Sequence, residues 1–487
     1  MTTKQLTLLP HQIGHFNHVC NILKHHHSYL DTSNMGSGKS YIVFNIAKTF
    51  GLSLVVICPL SMIELWESES ENYGIQVKKI VTYQSLRGTV KSPPSHGLLE
   101  RDGDKFKATD SFKQMIKEGI LLVFDESHNL KNETAQLSAA HALVNALTKE
   151  LSSSRVALLS ATPCDKPTQA ESLLKMLGFI ENDKLLTYSL ATDTYDYLGI
   201  KELINICYHY DPLTTRAMLG YQRIDRNMAY ELCYYLFLDI LKPKVVSSMP
   251  NPKIDFIKDA CNGYYNMTIE DLQLLYDGIT LLKRSTRFNE KNDSVNLKSG
   301  NWADITAALM MIEKSKLNTM VRLAYTTLKE NPKAKVILYF NYLDSINKVA
   351  EFLSEFNPLV LTGKTTKKER TDFINKFQCP TEEYRLLISN PKVGGVGINL
   401  DDRDGNWPRF MYVIPTYSSI DLHQATGRIY RITTKSKATI RFIYSKQLTN
   451  ETNILNALSR KAEVTKETLY DASDILFPGE YPPFVEL

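Results

Sequence analysis

The chain has 487 residues, of which 43% are hydrophobic and 23% charged, with a formal net charge of +4. That length exceeds what one core supports, so two or more domains are expected, and the slight basic excess allows local nucleic-acid patches without making the chain a polycation. The N-terminus is polar and no run of about 18 apolar residues occurs, so neither secretion nor a membrane span is expected.

From the N-terminus, His25-His26-His27 comes first. Adjacent side chains cannot share one helix face, so no metal site is read there. The turn Met35-Gly36-Ser37-Gly38-Lys39-Ser40 then leads into the helical run Tyr41–Phe50. Glycines let the backbone close on a phosphate chain, and the helix N-terminus aims its N–H groups at it. Lys39 can reach the β- and γ-phosphates, and Ser40 can offer a hydroxyl to Mg²⁺. Where the strict pattern has a glycine, this chain has Ser33, which is also small. Taken alone, the motif has a competing, weaker reading as an ordinary turn into a helix.

Leu54–Pro59, Ile120–Phe124 and Val156–Leu159 are continuous apolar runs that fit strands buried on both faces of a parallel sheet. Helical stretches lie between them, as in a doubly wound domain. Lys91–Asp110, with Pro93-Pro94 and several charges, reads as a surface loop. Asp125-Glu126 follows its strand directly and would face the crevice that holds the phosphate loop. Asp125 can hold Mg²⁺ while Glu126 polarises a water; the competing reading is a solvated acidic turn.

Residues 186–245 break the strand–helix rhythm with a mostly helical pattern rich in tyrosine (Tyr188, Tyr195, Tyr197, Tyr208, Tyr210, Tyr221, Tyr230, Tyr234 and Tyr235). A tyrosine stripe at helical spacing is read here as core rather than as a base-stacking surface. Strand-like runs return at Lys335–Phe340, Arg385–Ile388, Phe410–Ile414 and Thr439–Tyr444, giving a second α/β lobe. Gly394, Gly395 and Gly397 mark tight backbone. Arg428 and Arg431, three apart, would share a helix face, with Gln424 a turn earlier on the same side. The seven cysteines (Cys20, Cys58, Cys164, Cys207, Cys233, Cys261, Cys379) include no C-x-x-C pair, and read as reduced thiols in a cytoplasmic or nuclear setting.

These segments together resemble the superfamily-two helicases, and within them the Swi/Snf-type translocases. Cys58–Trp66 (CPLSMIELW), Thr82–Leu86 (TYQSL), Asp125–Asn132 (DESHNLKN), Ser160–Pro163 (SATP), Ser315–Leu317, Leu361–Gly363 with Glu369-Arg370, and Ser389–Leu400 (SNPKVGGVGINL) carry the resemblance. Met249-Pro250 with Tyr276 resembles the link into the second lobe. Ser33-Asn34, SATP, Gly427 and Thr433-Thr434 depart from the remodeller pattern. The mixture is similar to stand-alone helicases of large DNA viruses, which would act in the host cytoplasm or virion.

The resemblance implies two RecA-like doubly wound parallel-sheet lobes with a helical insertion: lobe 1 over 1–185, a helical protrusion over 186–245, lobe 2 over 246–460 and a tail over 461–487. It implies ATP and Mg²⁺ as bound species. Nucleotide would be held by Gln12 (reading adenine), Met35, Gly36, Ser37, Gly38, Lys39, Ser40 and Gly397, and the metal by Ser40 and Asp125. Catalysis would fall to Glu126, Lys39, Gln424, Arg428 and Arg431, the arginines arriving as the lobes close around ATP. The partner is expected to be DNA, in duplex form and gripped by its backbone, with no membrane role. An RNA helicase is the alternative within the class. A non-hydrolysing scaffold is the alternative outside it, and the intact Lys39, Asp125, Glu126, Arg428 and Arg431 argue against that.

Overall fold

The computed structural model describes residues 5–189, 194–220, 225–251, 254–285, 287–289, 294–296, 301–391, 398–447, 451–472 and 475–485. The chain forms two compact units. The first comprises residues 1–252 with 463–474, and the second 253–462 with 475–487.

Unit 1 is built on six parallel strands: β1 (Ser28–Asp31), β2 (Ser53–Cys58), β3 (Val77–Thr82), β4 (Ile120–Asp125), β5 (Arg155–Leu159) and β6 (Val246–Ser247), in the order β6-β1-β5-β4-β2-β3. Strands β2 and β4 are buried at every position. Their alternate residues feed two cores. Val55, Ile57, Leu122 and Phe124 enter one, while Leu54, Val56, Leu121 and Val123 enter the other. Burial on both faces explains why these strands read as unbroken apolar runs. Strands β1, β3 and β6 carry more polar residues, and apolar runs alone did not reveal them.

Helices Leu198–Tyr210, Pro212–Leu219 and Arg226–Tyr235 lie within unit 1. Ile200, Leu203, Cys207, Ala229, Leu232 and Cys233 supply their buried contacts. The tyrosines do not form that core, contrary to the sequence reading. Tyr197, Tyr210 and Tyr234 are half-buried at its margin, Tyr230 and Tyr235 are also half-buried, and Tyr208 is exposed. Smaller Leu, Ile and Cys side chains occupy the helix faces that point inward, leaving the phenol groups at the rim, where their hydroxyls find partners. Tyr235, for example, donates to Asp211 at 2.7 Å. The side chains of Tyr188 and Tyr195, and the whole of Tyr221, lie outside the described residues.

The expected surface loop over 91–110 also needs correction. Leu99–Asp102 and Lys105–Ala108 pair as an antiparallel hairpin, and Asp110 opens the helix Asp110–Glu118. Leu98, Leu99 and Ala108 are buried and pin the hairpin to the core, and Gly103 turns it at φ 59°. The alternating charges that suggested a loop are the hairpin's solvent face.

Unit 2 holds seven parallel strands: β7 (Lys258–Tyr265), β8 (Lys335–Tyr339), β9 (Leu359–Leu361), β10 (Leu386–Ser389), β11 (Arg409–Val413), β12 (Ala438–Ser445) and β13 (Pro483–Val485). Their order is β9-β10-β8-β11-β12-β7-β13. Ile337, Tyr339, Met411 and Val413 pack on one face and Val336, Leu338 and Tyr412 on the other. Both units are therefore doubly wound α/β layers around parallel sheets, the fold class the sequence implied.

At the start of β11, Arg409 is almost completely buried. Its guanidinium donates to the carbonyls of Leu400 (2.7 Å), Trp407 (2.7 Å) and Asp401 (3.3 Å) and to Gln378 Oε1 (2.9 Å). Arg409→Met keeps the bulk but strands these acceptors, and should destabilise unit 2 by about 3 kcal/mol. Urea unfolding should show an earlier transition for unit 2 while probes in unit 1 stay unmoved.

Candidate nucleotide site and the arginine turn

In unit 1 the polypeptide leaves β1, turns through residues 32–38 and enters the helix Lys39–Phe50. Gly38 is the N-cap, with φ 93°. A Cβ there would lie 2.4 Å from Gln12 Nε2, so both the backbone angle and the space require glycine. The first N–H groups of this helix have no intrahelical acceptor and remain available to an anion. The Lys39 ammonium rests on the carbonyls of Ser33 (2.9 Å) and Asn34 (3.2 Å), oxygens that a phosphate can replace. Gln12 is buried and donates to the Ser37 carbonyl at 3.1 Å, while its Oε1 accepts the Leu9 N–H at 2.9 Å. Met35 N–H is held by Asn34 Oδ1 at 2.8 Å, and Ser40 is half-buried in the first helical turn. The serine that stands for glycine at position 33 makes a contact glycine could not, its hydroxyl accepting the Met249 N–H at 2.8 Å.

Strand pairing sets the level of the acidic pair. Leu159 at the end of β5 is in register with Asp31 on one side and with Asp125 on the other. Asp31 and Asp125 therefore end their strands at the same height, about 10 Å apart across two strand spacings. Asp125 is buried, and its Oδ2 accepts the Trp66 indole N–H at 2.9 Å. Its carbonyl accepts the Tyr83 hydroxyl at 2.8 Å. Burial, then the neighbouring Glu126 carboxylate, push the Asp125 carboxyl up to about 6, against the pull of Trp66 and Lys39. A buried carboxylate is an oxygen donor of the kind Mg²⁺ uses.

Glu126 adopts a left-handed backbone conformation, φ 55° and ψ 53°. This is unusual for a residue with a side chain, and such strain is typical of functional sites. His128 Nδ1 lies 3.3 Å from Glu126 Oε2 and 3.4 Å from the Ser160 hydroxyl, linking the acidic pair to the SATP segment. Trp66, Tyr83, His128 and Ser160 were not among the expected site residues. All four lie in segments that the family resemblance singled out, but no spacing rule assigns them to Asp125 or Glu126.

In unit 2 the helix Ser419–Thr426 ends before the arginines. The expectation that Arg428 and Arg431 share a helix face is thus overturned. The Gly427 N–H bonds to His423 and the Arg428 N–H to Ala425, after which the chain turns. Thr434 Oγ1 accepts the Arg431 N–H at 2.8 Å, and the Thr433 hydroxyl donates to Asp401. The two threonines that depart from the remodeller pattern therefore brace this turn. Gln424 and Arg428 are buried; Arg428 Nη1 reaches the Ile398 carbonyl at 3.4 Å and Arg431 Nε the Gly427 carbonyl at 3.2 Å. Burial raises the Tyr339 phenol, while the nearby cations Arg428 and Arg370 act in the opposite sense. Gly394, Gly395 and Gly397 lie outside the described residues.

One parallel sheet thus carries a glycine turn into a helix and a strand-end acidic pair, and a second parallel-sheet unit carries an arginine turn. Residues 315–433 match the family described as helicase conserved C-terminal domain. The putative ATP-dependent RNA helicase L364 of Acanthamoeba polyphaga mimivirus is 24% identical, over 93% of this chain and 82% of that protein. The transcription regulatory protein SNF2 of Saccharomyces cerevisiae is 22% identical over 82% of this chain, which spans only 24% of that longer protein. Among solved structures, the Sulfolobus solfataricus SWI2/SNF2 ATPase core in complex with dsDNA is 18% identical with a TM-score of 0.32, covering 96% of this chain and 99% of that one. The chain is thus similar to helicases of superfamily two and, over its length, to Swi/Snf-type proteins, and one of these similar proteins is viral. No helix among the described residues is long and apolar enough to cross a membrane.

The Trp66 N–H favours the ionised form of Asp125, so Trp66→Phe should raise this carboxyl further. The acid limb of the pH–rate profile for Mg²⁺-dependent ATP hydrolysis should then move to higher pH. An unmoved limb would show that the indole does not tune Asp125.

Proposed function

We propose that the protein hydrolyses ATP with Mg²⁺ and uses the energy to move along duplex DNA. The observation that carries this reading is the in-register end of β1 and β4, which sets the Lys39 loop and the Asp125-Glu126 pair at one edge of one sheet. Lys39 would neutralise the β- and γ-phosphates, Ser40 and Asp125 would hold Mg²⁺, and Glu126 would orient the attacking water. Bound Mg²⁺ would supply charge neutralisation at the transferring phosphoryl group. Gln12, fixed between the Leu9 N–H and the Ser37 carbonyl, would read the adenine edge beside the loop. Arg428 and Arg431, with Gln424, are assigned the stabilisation of the phosphoryl charge.

Glu126→Gln should leave ATP binding largely intact while hydrolysis falls by about 10³-fold, because the carboxylate that orients the water is lost. Lys39→Ala should weaken nucleotide binding as well. Arg428→Ala or Arg431→Ala should depress turnover by about 10³-fold with binding retained. Native turnover in Glu126→Gln would reject the assignment of the site.

The duplex-DNA reading is supported by the Swi/Snf-like segments Cys58–Trp66, Thr82–Leu86 and Ser389–Leu400. The mimivirus relative's description as a putative RNA helicase supports the second reading, an RNA-directed motor. ATPase assays with no nucleic acid, single-stranded DNA, duplex DNA and RNA separate them. Duplex DNA of arbitrary sequence should stimulate turnover, and the stimulation should fade steeply with salt as counterion release becomes less favourable. Stimulation by RNA and by no form of DNA would favour the second reading. Hydrolysis by no form of the protein would leave only a scaffold.

A further inference from the structure

Beneath the phosphate loop lies a buried polar relay that the assigned chemistry does not use. His15 sits one turn after Gln12 on the helix Pro10–His25 and is 3% exposed, while Asp31, at the end of β1, is fully buried. His15 Nε2 meets Asp31 Oδ2 at 3.0 Å. The other oxygen of Asp31 accepts the Ser33 N–H at 2.8 Å, within the loop itself. On the far side, His15 Nδ1 lies 2.8 Å from the Ser247 hydroxyl, which also lies 3.0 Å from His18 Nδ1. Ser247 belongs to β6, and two residues later Met249 donates its N–H to Ser33 Oγ. The path therefore closes: helix to Asp31, Asp31 to Ser33, Ser33 to Met249, and β6 back through Ser247 to His15.

We infer that His15 is a positioning residue for the phosphate loop, holding Asp31 and Ser247 at once so that the adenine-side helix, the loop and the β6 segment set one loop conformation for ATP. The inference rests on the nucleotide-site reading above and adds a residue to it.

Hydrogen-bond chemistry supports a fully satisfied chain of contacts. With Asp31 ionised, His15 Nε2 must carry a proton and donate it. A neutral His15 then accepts at Nδ1 from the Ser247 hydroxyl, which in turn accepts from His18. An imidazolium His15 donates to Ser247, which then donates to His18. Both polarities satisfy every partner, so the chain of bonds is complete whichever way the Ser247 hydroxyl points. The ionisable groups around His15 are Asp31 and Tyr29 on β1, Lys39 on the following helix, His18 on its own helix, and Tyr470, which packs on the His18 ring at 5.5 Å. Burial raises the Asp31 carboxyl, and His15, Lys39 and the Ser33 side chain outweigh it to leave the group below its ordinary range.

The test is steady-state ATP hydrolysis by wild type, His15→Gln, Asp31→Asn and Ser247→Ala, read as KM and kcat separately. His15→Gln and Asp31→Asn should each raise KM for ATP about tenfold with kcat within about threefold, since the loop is misplaced before chemistry begins. The double variant should be little worse than either single one, because both break the same link. Ser247→Ala, which only deletes a hydroxyl, should raise KM by about threefold and decides the matter if His15→Gln does not fold. Unchanged KM in folded variants, or a fall confined to kcat, would overturn the inference while leaving the nucleotide site standing. Failure of wild type itself to hydrolyse ATP would instead remove the site reading and this inference with it.

Discussion

The parallel pairing of β1, β5 and β4 is the constraint on which the chemistry of unit 1 depends. Leu159 aligns the ends of its two neighbours, and a parallel sheet sends every chain out at the same edge. The loop that can cradle phosphate and the carboxylates that can hold metal and water therefore emerge together. A slip of one residue in either pairing would turn Asp31 or Asp125 to the opposite face of the sheet. A slip would also exchange the residues that fill the two faces of β4, so that Leu122 and Phe124 no longer fit the core they now fill.

Holding carboxylates at such an edge means burying charge, and each buried carboxylate has specific partners. The Asp125 carboxylate has the Trp66 indole, while the Tyr83 hydroxyl holds its backbone carbonyl; the Asp31 carboxylate has His15 and the Ser33 N–H. An isolated buried carboxylate would simply take up a proton. These partners keep ionised forms accessible while leaving Asp125 high enough for its protonation to respond to the surroundings. Glu126 holds a strained backbone angle between a rigid strand and the short helical turn Ser127–Leu130, which aims its carboxylate toward His128. Strain and burial are tolerated here because the double-sided core around the strands over-determines the local geometry.

Unit 2 solves a different problem, holding arginines at the end of a short helix. The helix stops at Thr426, and Thr433, Thr434 and Asp401 fasten the turn that follows. Arg428 is consequently buried against backbone carbonyl, with few conformations open to it. Arg409, at the base of β11, organises the adjoining carbonyls of Leu400, Asp401 and Trp407 in the same manner. Guanidinium groups suit both roles because they present several donors in a fixed plane.

The sequence by itself determined the fold class, the phosphate loop and the acidic pair. Those features are local: a glycine-rich turn before a helix, and β-branched runs that must be buried on both faces. It also located the strands at 335–339, 386–389, 409–413 and 438–445 to within a residue or two, since a fully buried strand leaves an unbroken apolar run. Only the tertiary structure decided where β1, β3 and β6 lie, that the tyrosines of residues 197–235 rim a core of smaller side chains, and that the arginines sit on a braced turn. It alone joined His15 to Asp31, Trp66 to Asp125 and Ser33 to Met249. Those contacts bridge residues up to 216 positions apart, and their selection depends on the register of the sheet, which no local pattern of residues encodes.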